Sequence, residues 1–128
     1  MTTYLLDTKV IIDVLNGKRN RDALLKGLLS QGNLFACCAV NVSEVYTGMR
    51  PKEESRIEAL LQSLEYYDIN WDVAKLAGLF KREYSKKGQT LSLSDTTIAA
   101  VALEYNLTLI TDNVKHYPML QLKIYPLP

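Results

Sequence analysis

Short apolar runs alternate along this chain with longer segments whose apolar residues recur every three or four positions, and that alternation most restricts the fold. Thr3–Leu6, Leu34–Val40, Tyr66–Ile69, Leu107–Thr111 and Leu122–Tyr125 read as strands. Between them, Val10, Ile11, Val14 and Leu15, then Ala23 to Leu29, keep helical spacing. So do Val45, Tyr46 and Met49 in a helix from about Val42, and Ile57, Leu60, Leu61 and Leu64. Val73, Leu76, Ala77 and Phe80 mark a long helix, and Ile98 to Tyr105 the last, ending at Asn106. Leu34–Val40 is too continuously apolar to be half exposed, which points to a strand covered on both faces. The expected fold class is α/β, a central, mainly parallel sheet of about four to five strands flanked by helices. A chain of 128 residues suits one domain, residues 1–128. Right-handed crossovers would then bring all strand carboxyl ends to one side.

Composition excludes several classes. Hydrophobic residues at 48% and charged residues at 23% are ordinary for a soluble domain, and a net charge of +1 announces no nucleic-acid binder. No apolar stretch approaches the roughly 20 residues that span a bilayer. The start, Met1-Thr2-Thr3-Tyr4, lacks the basic and apolar regions of a signal peptide, so a cytoplasmic location is the default expectation. Cys37 and Cys38 are neighbours in a strand and point to opposite faces, which makes them two free, buried thiols rather than a pair.

Four acids stand where apolar runs give way to helical patterns. Asp7 closes Tyr4-Leu5-Leu6, Asp112 follows Leu107–Thr111, and Glu44 and Asp95 lie in the first turns of expected helices. In an open parallel sheet these positions gather at one edge, where ligands bind. Each acid also has a structural reading. Asp7 and Asp112 could cap the segments that follow, and Asn41-x-x-Glu44 and Ser92-x-x-Asp95 resemble capping boxes. The other acids, Asp13 among them, fall on expected wet faces or loops, with Asp68 in the third strand. Clustered carboxylates repel unless a hard divalent cation neutralises them, and Mg²⁺ or Mn²⁺ needs only a few oxygen ligands besides water. Other chemistries are poorly supplied. His116 has no partner for zinc, the six glycines form no phosphate loop, and no Gly-x-Ser-x-Gly elbow exists. A phosphoacceptor domain would need a further acid paired beside the first strand. Metal-dependent chemistry on phosphate esters is the reading that remains.

These segments resemble a known family. Leu5-Leu6-Asp7-Thr8-x-Val10-Ile11-Ile12-Asp13 looks like the opening of PIN-domain nucleases, and Val42-Ser43-Glu44-Val45-Tyr46-x-Gly48 like their second acidic motif. Leu93-Ser94-Asp95-x-x-Ile98-Ala99-Ala100-x-Ala102 and Leu109-Ile110-Thr111-Asp112-Asn113-Val114-Lys115-His116-Tyr117 are similar to the third and fourth. The match runs the length of the chain in order, and the size suits VapC-type toxins of toxin–antitoxin pairs. The resemblance implies a Mg²⁺- or Mn²⁺-dependent endoribonuclease in which Asp7, Glu44, Asp95 and Asp112 are the catalytic and metal-binding acids. The fourth position stays open between Asp112 and Asn113. Thr8 and Thr111 match positions whose hydroxyls lie near the acids, and Lys9 stands where Asn or Ser is usual, facing solvent or standing in for part of a metal's charge. A homodimer and a cognate antitoxin covering the active site are also implied. A housekeeping RNA-processing nuclease of the same fold, or a non-catalytic α/β binding module, is the alternative.

An RNA substrate needs positive charge at the rim of such a pocket. Lys18 and Arg19, near Arg21, and Lys115 and His116 lie downstream of motif acids and are the candidates. Tyr46 and Tyr117 could stack on bases or pack in the core. The leucine-rich helices near Leu24–Leu29 and Ile57–Leu64 could carry a partner groove if their apolar faces are exposed.

Overall fold

The computed structural model describes residues 1–128. The elements run β1 (Thr3–Leu6), α1 (Thr8–Leu15), α2 (Arg21–Ser30), β2 (Leu34–Cys38), α3 (Ala39–Thr47) and, after a 3₁₀ turn at Pro51–Glu53, α4 (Glu54–Gln62). Then come β3 (Glu65–Tyr67), α5 (Trp71–Lys86), α6 (Leu93–Glu104), β4 (Thr108–Thr111), a 3₁₀ turn at Val114–His116 and β5 (Ile124–Pro126). The five strands form one wholly parallel sheet in the order β3-β2-β1-β4-β5. The α/β class, the parallel sheet and its strand number are therefore as the sequence predicts.

Period-two alternation divides each strand between two cores. Leu5, Ala36, Cys38 and Leu109 enter one core with Val73, Ala77 and Phe80 of α5 and Ile98 to Ala102 of α6. Leu6, Phe35, Cys37 and Ile110 enter the other with Val10 and Ile11 of α1, Leu25 and Leu28 of α2, and Ile57 and Leu61 of α4. Burial on both faces is why β1, β2 and β4 read as apolar runs, while the edge strands β3 and β5 stay partly exposed. Cys37 and Cys38 are free, buried and in opposite cores. Residues Thr96 to Ala102 of α6 are all buried, so this helix lies sandwiched in the fold rather than along its rim.

Several boundaries differ from expectation. β2 stops at Cys38 and the chain is helical from Ala39, not from about Val42, because Asn41 Oδ1 accepts the Cys38 N–H (2.9 Å) and turns the backbone there. β3 spans Glu65–Tyr67, which leaves Asp68 outside it and exposed, and β5 begins at Ile124 rather than Leu122. Asp13, expected on a wet face, is 5% exposed and faces the buried Arg21, with Oδ2 to Nε 3.7 Å.

Strand β1 has β2 on one side and β4 on the other: the chain runs outward from β1 through β2 to β3, then crosses back to β4 and on to β5, so the strand order reverses between β1 and β4. In open parallel sheets ligands bind outside the strand carboxyl ends at such a reversal, and here Asp7 follows β1 and Asp112 follows β4. Helix α6 brings Asp95 on its first turn, as expected, whereas Glu44 falls on the second turn of α3, because that helix already begins at Ala39.

Candidate active site

Asp7 sits at the start of α1, yet its side chain makes no capping bond to that helix. Its carboxylate turns inward. Thr111 Oγ1 donates to Asp7 Oδ2 (2.7 Å) and the Tyr117 hydroxyl to Oδ1 (3.1 Å). The same hydroxyl lies 3.2 Å from Asp95 Oδ1. A hydroxyl has one proton to donate, so two carboxylates share a single neutral donor. Asp7 is 7% exposed and has no cationic partner; burial raises its carboxyl above the ordinary range, the Asp95 charge adds to this, and the two hydroxyls only partly offset it. Burial, followed by the two carboxylates, pushes the Tyr117 phenol far up, so it stays a donor.

Asp95 is held from several directions. Ser92 Oγ accepts its backbone N–H (3.0 Å), as the predicted cap requires, but the Asp95 carboxylate is not returned to Ser92. It meets Tyr117, and on its other oxygen His116, whose Nδ1 is 3.4 Å from Oδ2. Glu44 accepts from the Thr8 hydroxyl at 2.6 Å, and Thr8 Oγ1 in turn accepts from the buried Asn41 Nδ2 at 3.0 Å. The expected Asn41–Glu44 box is absent, since Asn41 lies inside α3 and serves Cys38, Leu6 and Thr8. Thus Asp7, Glu44 and Asp95 are held by hydroxyls, and none of the three carboxylates is used to cap a helix.

Asp112 has different company. Its Oδ2 lies 3.0 Å from Arg19 Nη1, 3.2 Å from Arg21 Nη2 and 3.6 Å from Lys9 Nζ. Lys9 therefore bends toward this carboxylate with its side chain 43% exposed. Asn113 donates its backbone N–H to Thr111 Oγ1 (2.9 Å), the hydroxyl that serves Asp7. Of the expected basic rim, Arg19 and His116 reach acids of the site, while Lys18 and Lys115 are simply exposed. Tyr117, at 2% exposure, cannot stack on a base, and Tyr46 packs against the second core. The acid-bridging role of Tyr117 was not foreseen. Its one sequence signal is an aromatic hydroxyl at the end of the fourth acidic segment.

The donor set fits a hard divalent cation. Every candidate ligand is an oxygen, and Asp7 and Asp95 together carry more negative charge than one neutral hydroxyl can satisfy. No three acidic, thiol or imidazole side chains form a ready-made shell, so an ion held here would take much of its coordination from water, as Mg²⁺ commonly does.

A parallel sheet with acids at its topological switch point defines a site rather than a mere scaffold, and the family comparison gives that sheet its class. The PIN domain family matches residues 4–117, and the chain belongs to it. It is similar to Ribonuclease VapC19 of Mycobacterium tuberculosis, 30% identical over 115 residues that cover 90% of this chain and 92% of that protein. Ribonuclease VapC10 of the same organism is 32% identical over 117 residues, covering 91% and 87%. Among solved structures, VapBC2 from Rickettsia felis bound to a promoter DNA fragment superposes with a TM-score of 0.85 at 25% identity, covering 99% of this chain and 100% of that one. VapBC-1 from nontypeable Haemophilus influenzae shares the fold, with a TM-score of 0.81 at 24% identity and 98% coverage of both chains.

Proposed function

We propose that this chain, acting as one domain over residues 1–128, is a Mg²⁺- or Mn²⁺-dependent endoribonuclease and the toxin of a VapC-type toxin–antitoxin pair. The observation that carries the reading is the Asp7–Tyr117–Asp95 arrangement, in which two carboxylates at the switch point share one hydroxyl and have no Lys or Arg partner, the nearest basic group being His116 beside Asp95. Asp7, Asp95 and Glu44 would hold the ion. When bound, it supplies a more acidic water for attack and charge to offset the phosphate and the leaving oxygen. The chain's own residues fix the geometry. Thr111 and Tyr117 orient both oxygens of Asp7, Thr8 orients Glu44, and the Ser92 cap sets the first turn that presents Asp95. The VapC names of the relatives support RNA as substrate.

The same proposal includes a cytoplasmic location, a homodimer and a cognate antitoxin. No helix is long and apolar enough to cross a membrane. Exposed Trp71 and Leu79 on α5 and Leu93 on α6 support self-association. A cleft of about 250 Å³ lined by Leu25, Leu29, Phe35, Leu60 and Leu64 supports an apolar antitoxin segment.

The test is cleavage of a total cellular RNA pool with Mg²⁺, Mn²⁺ or chelator, beside Asp7→Asn protein purified identically. Discrete, metal-dependent products lost by orders of magnitude in the variant are expected. Equal cleavage by both proteins would refute the assignment of Asp7. Absence of cleavage together with absence of Mn²⁺ binding would leave a non-catalytic module.

A further inference from the structure

We propose that Asp112 is a positioning residue rather than a metal ligand, and that it holds Lys9 and Arg19 beside the acids as a clasp for an RNA backbone phosphate. This rests on the proposed ribonuclease function and names the residues that would meet its substrate.

The network has a buried base and an exposed tip. The Asp112 and Arg21 side chains are 8% and 4% exposed. Arg21 lies between Asp112 (3.2 Å) and Asp13 (3.7 Å) and donates to the Pro128 carbonyl at 3.0 Å. Arg19 and Lys9, on the same Asp112 oxygen, are 55% and 43% exposed. Among these five side chains three positive charges face two negative ones, and the surplus sits at the exposed end.

Connectivity puts that surplus next to the acids. Asp112 directly follows Thr111, whose hydroxyl holds Asp7, and Lys9 directly follows Thr8, whose hydroxyl holds Glu44. Arg19 reaches the cluster from a loop in which it and Asn20 both adopt left-handed backbone, at φ 57° and 55°. Non-glycine residues avoid that region, so neighbouring structure must enforce it. The Arg19–Asp112 bond is one such contact.

Charge then separates the two roles. Three cations on Asp112 Oδ2 repel a further cation and offset the charge a metal would need, leaving only Oδ1, buried and without a hydrogen-bond partner, outside their contacts. For an anion the same three are attractive. A guanidinium with donors to spare forms strong, directed bonds to phosphate oxygens, and Arg19 spends one nitrogen on Asp112.

The experiment uses a fluorescent single-stranded oligoribonucleotide of mixed sequence, bound in chelator across a salt series, with Mn²⁺ affinity measured separately from the free-ion spin-resonance signal. The Lys9→Ala, Arg19→Ala double variant should flatten the slope of log affinity against log salt by about 0.7, one single-strand phosphate contact. KM should rise roughly tenfold while kcat and Mn²⁺ affinity stay within about twofold, the signature of lost ground-state binding. Asp112→Asn should also weaken RNA binding, although it makes the protein more positive, and should keep Mn²⁺ affinity where Asp7→Asn loses it.

An unchanged salt slope in the double variant overturns the clasp. So does loss of Mn²⁺ affinity in Asp112→Asn to the level of Asp7→Asn, or tighter RNA binding by Asp112→Asn. Should Asp112→Asn fail to fold, with Arg21 left buried and short of a partner, the exposed Lys9 and Arg19 changes still decide the matter. Wild-type protein that never cleaves refutes the ribonuclease reading instead, and the chelator binding series still tests the clasp.

Discussion

Replacing Tyr117 by Phe removes one oxygen from the interior and leaves the ring, which is 2% exposed, in place. What is lost is the donor shared by Asp7 Oδ1 and Asp95 Oδ1. A hydrogen bond to an ionised group contributes about 1.5–3 kcal/mol. Since the hydroxyl donates one proton at a time, a single such bond, roughly 2 kcal/mol, is the appropriate loss when both acids are ionised. For a chain of this size that lowers Tm by roughly 6–8 °C. The effect has a pH signature. Burial and Asp95 already hold the Asp7 carboxyl above its ordinary value of 3.8, and the Tyr117 bond is one of the influences that lower it, so the variant's Asp7 rises further. A carboxyl raised in the folded state favours the protonated form. Its penalty is absent below the unfolded value and fully present above the folded one. The gap between variant and wild type should therefore be widest at neutral to alkaline pH and should close as the solution approaches pH 4. Thermal unfolding followed by circular dichroism, in chelator at about pH 8 and about pH 4.5, measures this. Added Mn²⁺ should narrow the alkaline gap, because a cation then offsets the charge the hydroxyl had shared. A gap of equal size at both pH values would refute the reasoning and reduce Tyr117 to packing. No gap at either pH would deny the hydrogen bonds any energetic role.

Three further outcomes follow from the same contacts. Asp7→Asn, besides losing Mn²⁺ affinity, should unfold at the same or a higher temperature, since it removes a buried charge beside another of like sign; a lower Tm would mean the charged form supports the fold. Thr8→Val takes the donor from Glu44 and an acceptor from fully buried Asn41, so urea unfolding should show a loss of about 1–3 kcal/mol. Thr8→Ser, which keeps the hydroxyl, should be more stable than Thr8→Val, and an equal loss in both would show that the hydroxyl's bonds do not dominate the site. Burial pushes the Cys37 thiol up to about 11 and also raises that of Cys38. In the folded chain both should react with Ellman's reagent at about pH 8 at least roughly a hundredfold more slowly than in guanidinium, and matched rates would show an open core.

The sheet was legible because burying both faces of a strand demands a run of apolar residues, as in β1, β2 and β4, and the partly exposed edge strands β3 and β5 still carry short aromatic or aliphatic stretches between helical patterns. The ends of the strands were not. The stretch from Leu34 to Val40 is apolar throughout, and composition does not distinguish a buried strand from the buried first turn of a helix. The turn at Cys38 depends on one amide, Asn41, which also bonds to the Leu6 carbonyl 35 residues away. Asp13 shows the same limit. Its polarity argued for solvent, but α2 carries Arg21 to it, and a buried acid with a buried partner has no signature in local pattern.

The acids show how far local reasoning extends and where it stops. Each one, judged by its neighbours, was as plausible a cap as a ligand, because strand ends and helix starts are where both occur. What separates the roles is the direction of the side chain, and that is decided by remote residues. Thr111 lies 104 positions from Asp7 and Tyr117 lies 110. Their hydroxyls draw the Asp7 carboxylate off its own helix and toward Asp95. Asp112 occupies an equivalent seam and is drawn elsewhere, because Lys9, Arg19 and Arg21 arrive there instead. The order of acids along the chain thus marks the edge at which chemistry can occur. The hydroxyl or cation that each carboxylate meets separates the three held by neutral hydroxyls from the one paired with basic side chains.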